Sequence, residues 1–146
     1  MKLSSTFTIA LITFLLFPLV GSSQCRSYTK KKCRPALAPY QHNGQLNNAV
    51  LVPGDKAEIM LTFYSGQEYR VSVCYMPILG DVAFKVKDTD KNLIFDSTKN
   101  ENDYFDFKVA ATQQLVVEIK VPDSEKANEI VPQGCVSVLV GFKGDS

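Results

Sequence analysis

A chain of 146 residues with 16 basic and 15 acidic side chains has room for one ordinary domain and almost no net charge. That balance excludes an overall field that would draw the protein to nucleic acid or an anionic membrane. Trp is absent beside six Tyr and nine Phe, which weighs against sugar binding on indole rings.

Residues 1–23 have the three parts of an export signal. Lys2 supplies the positive end, Ile9 to Val20 forms an apolar run, and Gly21, Ser22 and Ser23 supply small residues for a cut near Ser22 or Ser23. Twelve helical residues rise about 18 Å against a hydrocarbon core of roughly 30 Å, too short for a permanent span. A lipid anchor on Cys25 fits poorly, because Gln24 stands where a lipobox has a small residue. The expected mature protein is secreted or periplasmic, neutral and without a transmembrane anchor.

Residues 24–48 read as an irregular arm. Pro35, Pro39, Asn43, Gly44, Asn47 and Asn48 break regular structure, and large apolar residues are few. An edge strand is expected near Ala49–Val52, closed by the turn Pro53-Gly54-Asp55. From Lys56 onward the pattern has period two. Ala57, Ile59, Leu61 and Phe63 share one face; Tyr69, Val71, Val73 and Tyr75 follow after Ser65-Gly66-Gln67. Val82, Phe84 and Val86 come next, then a short strand at Asn92–Phe95, then Phe105, Phe107 and Val109. Leu115, Val117, Ile119 and Val121 alternate with polar residues, and Val136, Val138, Val140 and Phe142 close the series. Ser124–Glu129 has room for one short turn. Seven to eight strands with turns every 8–12 residues predict an all-β, antiparallel, jelly-roll-like sandwich in one domain, residues 49–146.

Four cysteines follow the signal, an even number in an oxidising compartment. Cys74 and Cys135 both fall on the non-core faces of their strands, so a Cys74–Cys135 bond is expected if those strands are neighbours, leaving Cys25–Cys33 in the arm. Loop entropy assigns about 4 kcal/mol to the long closure and about 2.5 to the short one. The rival pairing ties the arm to a strand through Cys25 or Cys33. A metal site is disfavoured, since no C-x-x-C occurs and His42 is the sole histidine.

The candidate binding surface is basic and aromatic. Arg26, Lys30, Lys31, Lys32 and Arg34 cluster around the first two cysteines, and Tyr64, Tyr75, Tyr40 and Tyr104 are the tyrosines available for contact. Extracellular glycan or an envelope protein is the expected partner; nucleic acid is not, because only Tyr28 is interleaved with the basic residues. No cofactor is expected. Calcium is the alternative, at Asp88, Asp90 and Asp96. The run Asp88-Thr89-Asp90-Lys91-Asn92 imitates the start of an EF-hand loop, but Leu93 replaces its Gly and Lys99 its Glu. Catalysis is not expected, since His42 has no nucleophile frame around it.

Certain motifs carry a resemblance. They are Pro53-Gly54-Asp55, Phe63-Tyr64-Ser65-Gly66-Gln67-Glu68-Tyr69-Arg70, Gly80-Asp81-Val82-Ala83-Phe84-Lys85-Val86-Lys87-Asp88, and the closing Gly134-Cys135-Val136 to Lys143. They resemble secreted bacterial β-sandwich proteins, in a motif order similar to the pre-peptidase C-terminal domain and, more remotely, the GOLD domain. The resemblance covers roughly residues 44–143. It implies a sandwich with an accessory or binding role, and it supplies no catalytic residue. Pre-peptidase domains accompany a catalytic domain, and no such domain is seen in this sequence.

Overall fold

The period-two alternation becomes nine antiparallel strands among the described residues of the computed structural model, which are 21–100, 102–125 and 130–143. The expected signal lies outside them except for Gly21–Ser23, and so does most of the expected turn at Ser124–Glu129. The strands are β1 (Gln41–His42), β2 (Asn47–Leu51), β3 (Lys56–Phe63), β4 (Glu68–Tyr75), β5 (Ala83–Asp88), β6 (Leu93–Asp96), β7 (Tyr104–Lys108), β8 (Gln113–Lys120) and β9 (Gly134–Lys143). One sheet runs β1-β9-β4-β7, with β2 beside β1 on the same edge of β9; the other runs β3-β8-β5-β6. All pairings are antiparallel.

The apolar sets meet between the sheets. Val71, Phe84, Val117 and Val138 are each no more than 3 % exposed. Burying one such side chain contributes about 1.5–3 kcal/mol before chain entropy is subtracted. From the edge formed by β6 and β7 a row of rings runs through the interior to Phe63 of β3. Phe95 stacks on Phe105 at 4.8 Å, Phe105 on Phe107 at 4.8 Å, and Phe63 meets Phe107 edge-on at 5.0 Å. The turn at Gly54 forms as its residues require: φ is 90°, Asp55 N–H donates to the Val52 carbonyl, and Val52 N–H donates to Asp55 Oδ2.

The arm differs from the irregular segment expected at 24–48. Helix α1 (Gly21–Tyr28) continues through a π-type turn at Thr29–Cys33 and a 3-10 turn at Arg34–Leu37. Its buried face is Cys25, Thr29, Cys33 and Leu37, a repeat of four. An α-helix overshoots such a repeat by about 40° per step, and the wide turn winds back. This stripe lies on the outer face of β9. Leu37, Cys33 and Leu139 form a second buried cluster, and the Thr29 and Ser137 hydroxyls hydrogen-bond beneath the arm. Consequently β9 is buried on both faces from Gly134 to Gly141.

The disulfides are Cys25–Cys135 and Cys33–Cys74, not Cys74–Cys135 and Cys25–Cys33. Both strand cysteines do lie on the outer face, as the alternation requires. The register, however, sets Cys74 opposite Ser137 and makes Cys135 its diagonal neighbour. Diagonal Cα atoms are about 7–8 Å apart, beyond the usual reach of a disulfide. Cys25 and Cys33 are eight helical residues apart, about 12 Å along the axis. The rival pairing, arm to strand, satisfies both constraints, with Cα separations of 5.3 and 5.7 Å.

Candidate binding surface

Burial of one arm face leaves the basic residues on the other. Arg26, Lys30, Lys31, Lys32 and Arg34 are all exposed. The ion pairs among the described residues are Arg70–Asp106, Lys85–Asp96 and Lys87–Glu118, so none engages the arm. Five cations thus stand on a short segment that two disulfides hold against the sheet.

The tyrosines are not gathered beside them. Tyr64 is 62 % exposed, but it follows β3 in the opposite sheet. Tyr75, expected to be available for contact, instead sits opposite Val136 on the inner face and packs against the core, in step with Val71 and Val73. Burial, followed by the charges of Asp103 and Asp81, pushes its phenol up. The Tyr75 carbonyl accepts the Tyr28 hydroxyl at 2.8 Å. Tyr40 is buried, and its hydroxyl donates to Glu68 Oε1 at 2.7 Å. Burial and then Glu68 push its pKa up to about 12. Arg70 lies between the Tyr40 and Tyr104 rings, 4.7 and 4.0 Å from their centroids, and grips Asp106 with Nε and Nη2 at 2.7 Å each. This cluster satisfies itself and ties the arm's end to β4 and β7.

The calcium candidates are engaged elsewhere. Asp88 accepts Asn92 N–H and Nδ2 at 2.8 Å each, closing the β5–β6 turn. Asp96 accepts Thr98 N–H and Oγ1, capping the 3-10 turn at Ser97–Lys99. These bonds hold both carboxyls below their usual range. Asp96 pairs in register with Lys85, three residues from Asp88, or about 10 Å along the strand. Asp90 is exposed in the turn, and no cluster of metal-ligating side chains forms among the described residues. His42 lies in β1 opposite Gly141, under the arm. Its Nδ1 accepts Gly44 N–H at 3.3 Å, while Nε2 is buried without a partner among the described residues.

Sequence reasoning missed a trough between the two sheets along β3. Between β2 and β3 lies a cleft of about 360 Å³ floored by Leu51, Ile59, Ile119, Val136 and Val138. A hollow of about 550 Å³ continues it past Met60 and Thr62 to Tyr64. Asn47 sits opposite Val138, so its side chain is on the inner face, and its Nδ2 is buried with no acceptor among the described residues. No signal in the sequence pairs Asn47 with Ile119; the two meet only through the stacking of the sheets.

No protein-family model matches the chain, and no curated protein matches it. Among solved structures it is similar to PliG of Aeromonas hydrophila, a periplasmic lysozyme inhibitor of g-type lysozyme. The TM-score is 0.49 with 11 % identity, over 72 % of this chain and 89 % of that one. No helix of the described residues is long and apolar enough to cross a membrane. All four cysteines are paired, as in proteins folded under oxidising conditions.

Proposed function

We propose that this is a secreted or periplasmic, non-catalytic binding module whose stapled arm docks on an anionic polymer of the cell exterior, foremost an acidic glycan. The single observation behind this reading is the arm itself. Arg26, Lys30, Lys31, Lys32 and Arg34 are exposed together and have no carboxylate partner among the described residues. A backbone already held by two disulfides is not ordered anew on binding, which favours affinity. Their effect is local, because the rest of the chain balances their charge. An acidic envelope protein is the second partner the same surface fits.

Heparin is a convenient acidic glycan for the test. The oxidised protein is expected to be retained on immobilised heparin and to elute with salt, as screening of exposed charges requires. Lys30→Glu, Lys31→Glu and Lys32→Glu together are expected to weaken retention at least tenfold at constant Tm. Undiminished retention of that triple variant would remove the arm from the function.

A further inference from the structure

Beyond that reading, we infer that the free edge of β3 and the cleft beside it form a peptide-binding site. The site takes an extended segment of a partner protein as an added strand, with a basic residue set against Glu58.

Three observations converge on this edge. The first is the backbone. Val121 N–H donates to the Asp55 carbonyl at 2.9 Å, and the register continues unbroken from Lys56↔Lys120 to Phe63↔Gln113. Antiparallel ladders bond alternate pairs, so Ala57, Ile59, Leu61 and Phe63 bond β8. Lys56, Glu58, Met60 and Thr62 therefore turn their N–H and C=O groups outward. All four residues are exposed, and β3 ends its sheet. An edge of this kind is a template for another strand.

The second observation is the cleft. Its apolar floor lies between β2 and β3, directly beside those free groups. Strand side chains alternate, so a segment laid along β3 points every second residue into it. Asn47 also lines this cleft from the β2 side.

The third observation is charge. On the outer face Glu58 stands directly opposite Glu118, an unfavourable like-charge pair. Glu118 is compensated by Lys87 Nζ at 2.6 Å. Glu58 has no ion-pair partner among the described residues. A strand added on the far side of β3 puts its own outward residue beside Glu58, and a Lys or Arg there relieves the repulsion.

The experiment titrates the 15N-labelled oxidised protein with two capped heptapeptides, VTVKVTV and VTVEVTV. The expected result is at least tenfold slower exchange of the Lys56, Glu58, Met60 and Thr62 amides with the lysine peptide, and at least fivefold weaker binding of the glutamate peptide. Glu58→Lys is expected to reverse the preference. Met60→Pro removes one outward N–H without breaking a bond to β8, and is expected to abolish binding. If that variant does not fold, the reversal by Glu58→Lys, at an exposed position, decides. Unchanged amides at millimolar peptide overturn the proposal. So do shifts confined to the cleft side chains without amide protection, which would make it a small-ligand cavity. Protection that grows with protein concentration in the absence of peptide assigns the edge to a second copy and overturns it as well.

Discussion

Gly141 of β9 lies directly beneath Tyr40: a β-carbon on Gly141 would stand 2.7 Å from Tyr40 Cβ and 3.4 Å from Leu37 Cδ2. The backbone of the arm sits this low because the strand beneath it has no side chain there. Gly141→Ala must lift Tyr40 or bend β9, and overpacking of this kind costs typically about 1–3 kcal/mol. The expected outcome is a Tm lowered by several degrees, with the Tyr40–Glu68 bond lengthened in the variant. A Tm equal to wild type would mean that the arm rides higher than described.

The arm is held at two levels, Cys25–Cys135 near its start and Cys33–Cys74 near its end. The closed loops span 110 and 41 residues, for which loop entropy gives about 5 and about 4 kcal/mol. Removing either bond by paired Cys→Ala substitution is expected to cost about 2–5 kcal/mol in chemical unfolding. Peptide mapping under non-reducing conditions should recover Cys25 joined to Cys135. Recovery of Cys25 joined to Cys33 would detach the arm from the sheet.

The strands were legible because an antiparallel sheet with one buried face writes period two into the chain, as at Leu115, Val117 and Ile119. The arm was not, because its buried stripe is Cys25, Thr29, Cys33 and Leu37. Two cysteines and a threonine at a spacing of four do not read as an amphipathic helix. Strand β1 has two residues, too few for any periodicity. The basic cluster was visible because charge needs no partner to be counted. The depth of Tyr40 and Tyr75, and the place of Asn47, depend on which sheet edge each residue faces, and no local pattern records that.

Arg70 depends on its plane as much as on its charge. Its fork meets both oxygens of Asp106, and its face lies over the ring of Tyr104 at 4.0 Å. Lysine keeps the charge and loses both geometries. Arg70→Lys is therefore expected to destabilise by about 1–2 kcal/mol, nearly as much as Arg70→Met. Full retention of stability in Arg70→Lys would reduce the cluster to a simple surface ion pair.

Lys91 closes the β5–β6 turn at φ 67°, donating its N–H to the Asp88 carbonyl at 3.1 Å. A left-handed backbone costs a residue with a β-carbon about 1 kcal/mol, and glycine avoids it. Lys91→Gly is expected to raise stability by about 0.5–1 kcal/mol, less what glycine's freer unfolded chain takes back. A loss of stability in calorimetry would show that the Lys91 side chain contributes more than the turn's strain costs.

Three groups of titrations shape the stability profile. Burial, and then the charge of Arg34, hold His42 below its ordinary value of 6.5. As the pH falls below 6.5 the unfolded chain takes up this proton before the folded one does, so stability declines down to the folded value. Asp88, Asp96 and Glu118 are held low chiefly by hydrogen bonds from Asn92, Thr98 and Lys87. Their contribution is complete above their ordinary values and is lost as the pH drops through the folded ones, a second and more acidic decline. Tyr40 acts at the other end: its folded pKa of about 12 exceeds the ordinary 10.0, so its contribution is present below pH 10 and lost as the pH rises toward 12. The Tm is therefore expected to be highest between about pH 7 and 9, with a shoulder on the acid side. His42→Gln should abolish that shoulder and leave the more acidic decline in place. A shoulder that survives the substitution would show that His42 is not the buried group being charged.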